Sequence, residues 1–261
     1  MQEQRQKQRQ KLKPPVPDLA TDPACRVFFE ELLKSDFFVK ENEETFLVTP
    51  TCARCNRLFG VGEVKEVEKR GNITKIQIND LTATLNIYTD KVISLGNKFL
   101  AFVGNLHVHE GAGKSKGVLI LIEEAGAVGE NVRNNWIIST ARRTMERIEL
   151  LREKALPKKH WLKEALEHYA IDDDKLDFWG DMAINTVKGM WEDYNKTAKE
   201  MVLEVLGESG KSSVGRIKLA KELKKKGLME EWVEEVIDEL IGEGRCYEPE
   251  VGVLMLVEVE E

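Results

Sequence analysis

From Arg57 to about Ile122 apolar residues alternate with polar ones in five runs separated by turn signals, and no other feature limits the fold so tightly. The first run, RLFGVGEVKEVEKR at 57–70, carries glycines at 60 and 62, and glycine inside a strand marks a bend or a close backbone approach. Gly71-Asn72 turns the chain into GNITKIQI, and Asn79-Asp80 turns it again into TATLNIYTD. A short connection, KVISLGNK, leads to FLAFVGNLHVHE, and the loop GAGKSKG leads to VLILIEEA. Five strands in about seventy residues, a glycine-bent first strand and an insert between the third and fourth predict a small closed barrel of the OB type. Alternation sends Ile76, Ile78, Ala83, Leu85 and Ile87 inward, and Lys75, Gln77, Thr84, Asn86 and Tyr88 outward.

The flanking segments follow other rules, and the whole reads as a multi-domain α+β chain. Residues 1–21 form a basic arm with Arg5, Lys7, Arg9, Lys11 and Lys13 against Glu3; it ends in a stiff PPVP and is expected to be disordered. Residues 22–45 read as an N-terminal helical segment, with Asp22 as cap and Pro23 at the first position. The barrel takes 46–128. A long helix at 129–156 repeats Ile137, Ala141, Thr144, Ile148, Leu151 and Ala155 at spacings of four and three, a narrow seam of the coiled-coil kind. Residues 157–199 form a helical connector with Trp161, Trp179 and Trp191. Residues 200–261 give three helices and a hairpin around Gly252, the order of a winged-helix domain.

Composition narrows the function classes. The net charge of −7 argues against indiscriminate nucleic-acid binding over the whole surface. There is no long apolar run for a membrane span and no apolar stretch near the N-terminus for a secretory signal. With 4 Cys in 261 residues there is no disulfide framework, so a cytoplasmic location is expected. Lys and Glu dominate the 33% of charged residues, a bias common in hyperthermophile proteins.

Sequences able to carry chemistry are scarce. Gly113-Lys114-Ser115 and Gly210-Lys211-Ser212 lack the earlier glycine of a phosphate loop, because Val108 and Val205 stand there. Cys52-Ala-Arg-Cys55 is half a zinc site without a second pair at suitable spacing, so no metal and no cofactor are expected; buried cysteines or a disulfide involving Cys25 fit better. No catalytic constellation stands out, and a non-enzyme is expected. On the outer face of the second and third strands, Tyr88 beside Asn86, Gln77 and Lys75 suits a single nucleic-acid strand: the ring stacks on a base and the lysine meets phosphate. An ordinary surface tyrosine among solvated neighbours accounts for the same residues equally well.

INDLTA at 78–83, YTD at 88–90 and FVGNLHVHEGAGKSKGVLILI at 102–122 resemble the middle, second subunit of archaeal replication protein A. That family is a heterotrimer that binds single-stranded DNA. The order of arm, barrel, helix and winged helix is similar as well. The resemblance implies a DNA-binding set of Lys75, Gln77, Asn86, Tyr88, His107 and His109, with Tyr88 near the stacking aromatic of strand three and His109 at the second stacking position. It implies that the 129–156 helix joins the large and small subunits through Trp136, Ile137, Ala141, Thr144, Met145, Ile148 and Leu151. It implies that the winged helix recruits replication or repair proteins, such as primase or polymerase, through Glu231, Trp232, Glu235 and Tyr247. Acids at 230, 231, 234, 235, 238 and 239 on the third helix of that domain would repel duplex phosphates, which favours protein docking. The implied setting is the nucleoid of an archaeal cell. Two other readings stay open: a regulator whose winged helix reads duplex DNA, and an assembly adaptor that never touches DNA.

Overall fold

The structure, a computed structural model, describes residues 24–41, 43–94, 96–110, 116–153, 159–208, 213–226, 228 and 230–257; the basic arm lies outside them. The centre is a closed barrel of β4 (Arg57–Arg70), β5 (Ile73–Asn79), β6 (Thr84–Thr89), β7 (Phe99–Glu110) and β8 (Lys116–Val128), in the order β4-β5-β6-β8-β7. Neighbours are antiparallel except β6 and β8, which pair in parallel. This is an OB-like barrel. Its interior holds Ile76, Ile78, Leu85 and Ile87, buried as the alternation predicts, together with buried Leu58, Val61, Leu100, Phe102 and Ile120; Ala83 is half-buried. The two glycines of β4 are packing requirements. A Cβ on Gly60 would lie 2.5 Å from the Phe102 ring, and one on Gly62 would lie 2.5 Å from the Asn79 carbonyl oxygen.

The N-terminal segment is corrected by the structure. Only α1 (Phe29–Leu33) is helical. Beyond it, β1 (Phe37–Glu41) and β2 (Glu44–Val48) form a hairpin joined by β3 (Arg54–Cys55), a second sheet of order β1-β2-β3. The reason lies in FFVKE and ETFLV, short runs rich in aromatic and β-branched residues with no helical period. Before α1 the chain is extended: Cys25 bridges in parallel to Leu58 and is disulfide-bonded to Cys55. The Cys52–Cys55 pair therefore offers no two-thiolate half-site. Asp22 and Pro23, expected to start the helix, lie outside the described residues.

Three helices follow: α2 (Glu130–Arg152), α3 (His160–His168) and α4 (Asp173–Glu208). α2 and α4 pack on the barrel, whereas Trp161 and Ala165 of α3 pack on Val39 and Val48 of the N-terminal sheet. The seam of α2, expected to join subunits, is filled within the chain. Trp136, Ile137 and Ala141 belong to the barrel's core cluster, and the Trp136 indole donates to the Phe59 carbonyl at 3.3 Å. Ile148 packs with Leu176 and Trp179 of α4, with Met145 and Leu151 against them. Thr144 is fully buried, its hydroxyl bonded to Arg147. The stripe is narrow because α4 comes close: a Cβ on Gly180 would sit 3.7 Å from the Met145 sulfur. No helix among the described residues is long and apolar enough to cross a membrane.

The boundary expected at 199/200 falls inside α4, one continuous helix of 36 residues. Its first half contributes Ala183 and Met190 to the barrel cluster. Its second half contributes Tyr194, Ala198, Val202 and Val205 to a separate core. That core is completed by α5 (Arg216–Lys225), α6 (Glu230–Gly242) and a sheet of order β10-β11-β9, from β9 (Val214–Gly215), β10 (Cys246–Glu250) and β11 (Val253–Leu256). Gly252 makes the hairpin turn with a φ of 80°, a left-handed conformation that glycine adopts without a Cβ penalty.

Candidate nucleic-acid interface

Strand register brings the predicted barrel residues to one outer face. Lys75 of β5 lies directly opposite Tyr88 of β6, and Gln77 opposite Asn86. The parallel pairing with β8 sets Leu121 beside Tyr88, and the antiparallel pairing with β7 sets His107 beside Leu119. On the other side Glu68 of β4 faces Lys75. One row thus runs Glu68, Lys75, Tyr88, Leu121, Asn105 across five strands, with His107 and Leu119 in the next row. His109 pairs with Gly117 through its backbone; its side chain lies outside the described residues.

The face has an apolar floor that sequence reading did not assign. A depression of about 600 Å³ is lined by Arg70, Ile73, Tyr88, Asp90, Leu119 and Leu121, among others. A smaller one of about 190 Å³ adjoins it, lined by Glu68, Arg70, Ile73, Lys75 and Tyr88. Ile73 is 54% exposed and Leu121 39% exposed, and with Leu119 and Tyr88 they line one contiguous depression. The available signal was VLILI: in a strand whose Ile120 and Ile122 face inward, Leu119 and Leu121 must face out. Ile73 likewise shares the outward register of Lys75 and Gln77.

Acids hold the cations around this floor. Glu68 accepts from Arg70 through Nε at 2.8 Å and Nη2 at 2.7 Å, and the Lys75 ammonium stands 4.0 Å from its other oxygen. Lys91 donates to the Glu123 carbonyl at 2.6 Å. The Glu123 carboxylate clasps the Arg57 guanidinium through two nitrogens; this bond holds the Glu123 carboxyl below its ordinary range and raises Arg57.

The turn between β5 and β6 positions the face, and its residues do structural work. The Asp80 carboxylate accepts from the Phe29 amide at 2.8 Å, the Thr82 amide at 3.0 Å, the Thr82 hydroxyl at 2.6 Å and the Ala83 amide at 3.2 Å. The Thr82 hydroxyl also accepts from the Glu30 amide at 3.1 Å. Helix α1 has no side-chain cap of its own, and this turn supplies one from about fifty residues away. Leu81 holds a φ of 79°, with its amide bonded to the Asn79 side-chain oxygen. Burial pushes the Asp80 carboxyl up to about 6, against the pull of its four donors.

The expected docking residues disperse. Trp232 is half-buried, its ring packed edge-on against Trp191 at 4.4 Å and Tyr194 at 4.7 Å. An indole on the inner side of an amphipathic helix is drawn into the core by its apolar area, and the acids around it hide that in the sequence. Glu235 is exposed, Tyr247 is 43% exposed, and the Glu231 side chain lies outside the described residues. The other acids of α6 are largely tied down: Glu234 and Asp238 bind Arg216, and Glu239 binds Lys199 and Asn195. Among the described residues no group of three or more His, Cys, Asp or Glu is placed to hold a metal ion.

No protein-family model matches the chain, and no curated protein matches it. Solved structures similar to it include a chain of a replication protein A heterotrimer bound to single-stranded DNA, with 12% identity and a TM-score of 0.37 over 48% of this chain and 98% of that one. A chain of the Stn1–Ten1 complex of S. pombe has 11% identity and a TM-score of 0.41, over 51% of this chain and 99% of that one. An aspartyl-tRNA synthetase of Entamoeba histolytica has 12% identity and a TM-score of 0.23, over 58% of this chain and 33% of that one. At these scores the barrel's own topology, and not the likeness, carries the description of the fold.

Proposed function

We propose that the chain is a non-catalytic, single-stranded-DNA-binding subunit of the replication protein A type, serving replication, repair and recombination. The row Lys75, Tyr88, Leu121 on the outer face of an OB-like barrel carries this reading. A base stacks on a tyrosine ring and rests on exposed leucine and isoleucine, while a lysine at its edge meets the phosphate. The apolar floor is sequence-tolerant, because every base has a flat face to lay on it. The quoted resemblance to archaeal middle subunits supports the same reading.

Two finer roles belong to the proposal. The C-terminal helices and three-stranded sheet are read as a winged helix that docks proteins through exposed Glu235 and Tyr247; the acids on α6 oppose a duplex-reading role. Association with large and small partner subunits is the other. Because the barrel core and α4 already cover the seam of α2, that association uses other surfaces or displaces these contacts.

The test is binding of labelled oligonucleotides by anisotropy, with the chain alone and with any subunits that co-purify. Single strands should bind better than duplex, and Tyr88→Ala should weaken binding by about 1–3 kcal/mol, the value of one stacked base. A preference for duplex, or unchanged affinity in both Tyr88→Ala and Leu121→Ala, overturns the assignment.

A further inference from the structure

We propose that the Glu68 carboxylate occupies the place a nucleic-acid phosphate takes on the barrel face, and so sets how far that face uses phosphates as against bases. The inference rests on the single-strand reading above. Its basis is the position of Glu68 at the end of the row: opposite Lys75, which is itself opposite Tyr88. One carboxylate there is shared by two cations, bonded to Arg70 at 2.7 Å and 4.0 Å from the Lys75 ammonium. All three charged groups line the same small depression as the tyrosine ring. A carboxylate and a phosphodiester offer the same chemistry to a guanidinium, two anionic oxygens in a plane or face that accept paired N–H donors. A base laid on Tyr88 therefore brings its own phosphate toward cations that already have an anion.

The phosphate enters either by displacing the carboxylate or by tolerating its repulsion. In both cases Glu68 withholds phosphate energy from every strand, while the stacking floor of Ile73, Tyr88, Leu119 and Leu121 is untouched. The native face is thus tuned to bases, with a shallow dependence on salt. Other charges near the row are placed differently: Glu66 lies opposite uncharged Gln77, and Lys91 is spent on the Glu123 carbonyl.

The experiment is an oligo-dT titration across salt concentrations with the full chain and its Glu68→Gln, Glu68→Asp and Glu66→Gln variants. Glu68→Gln frees up to two cations. It should raise affinity about three- to tenfold at low salt and steepen the log–log salt slope by about 0.7 to 1.4, the contribution of one to two further phosphates on a single strand. Glu68→Asp should keep the shallow slope. Glu66→Gln, equal in net charge to Glu68→Gln, should leave the slope unchanged. An unchanged slope in Glu68→Gln, or equal changes in Glu66→Gln and Glu68→Gln, overturns the inference while leaving the binding reading intact. Absence of binding by the wild-type chain fails the binding reading itself, which separates the two outcomes.

Discussion

Asp80 ties the β5–β6 turn to the start of α1 through one buried carboxylate. INDLTA carried the resemblance to a DNA-binding family, yet the aspartate in it serves the fold: it caps α1 across the barrel and is only 1% exposed. Its carboxyl is raised from 3.8 to about 6, so the unfolded chain gives up the proton first as pH rises. Between those values the folded state keeps a proton that the unfolded state has lost. The group's favourable contribution is complete below the unfolded value and is lost as pH rises through the folded one, an effect of about 3 kcal/mol. Urea titrations at pH 4 and pH 7 should show this loss in the wild type, and Asp80→Asn should flatten it while keeping an acceptor for the Phe29 amide. Equal pH dependence in the two proteins would put the titration elsewhere. The inner and outer sets of β5 and β6 were legible, because period-two alternation is enforced by the barrel. The capping role of Asp80 was not, since its partner lies about fifty residues away and no local pattern encodes it.

At the scale of elements, α2 shows that a periodicity marks a buried stripe without naming what covers it. The spacing of Ile137, Ala141, Thr144 and Ile148 announces a buried stripe, and all four are buried. Within the chain Ile137 and Ala141 meet the barrel core and Ile148 meets α4, surfaces that sequence patterning could not distinguish from those of another subunit. The helix is also anchored by a polar cluster that the seam does not reveal. Glu31 of α1, with no exposed surface, accepts from Thr49 and Thr51 and from Arg147 of α2 at 3.2 Å; Arg147 also donates to Thr51 at 2.7 Å. Removing one partner leaves a buried charge alone. Arg147→Met is expected to cost about 3–5 kcal/mol by chemical denaturation, and the double variant with Glu31→Gln should recover part of it. If the double variant is no more stable than Arg147→Met, the pair does not act as a unit. The N-terminal sheet was missed for a related reason: VFFEELLKSDFF begins in helical spacing, and only α1 keeps it.

At the scale of the whole molecule, α4 joins two cores. At 36 residues it is about 54 Å long. Trp191 touches both cores: it packs against the barrel cluster and, with Trp232 and Tyr194, against the C-terminal one. Calorimetry of the wild type should therefore give one cooperative transition, and Trp191→Ala, at a cost of about 3 kcal/mol, should resolve it into two. Two transitions already present in the wild type would show that the tryptophan does not couple the cores. The barrel was legible from the sequence, but the continuity of α4 through 199/200 was not, because the helical pattern on either side does not say whether one helix or two carries it. Glycines at 180 and 189 sit inside the helix without ending it.

An unbroken α4 is also an angular gauge. Each residue of an α-helix advances about 1.5 Å and turns about 100°. Adding a single residue near Gly189 would swing everything beyond it more than a quarter-turn about the helix axis while barely lengthening the molecule. The compass bearing of Tyr247 relative to Tyr88 is thus written in the residue count of one helix. Anything bound at the far end would face the barrel at one azimuth, where a flexible tether would have offered them all.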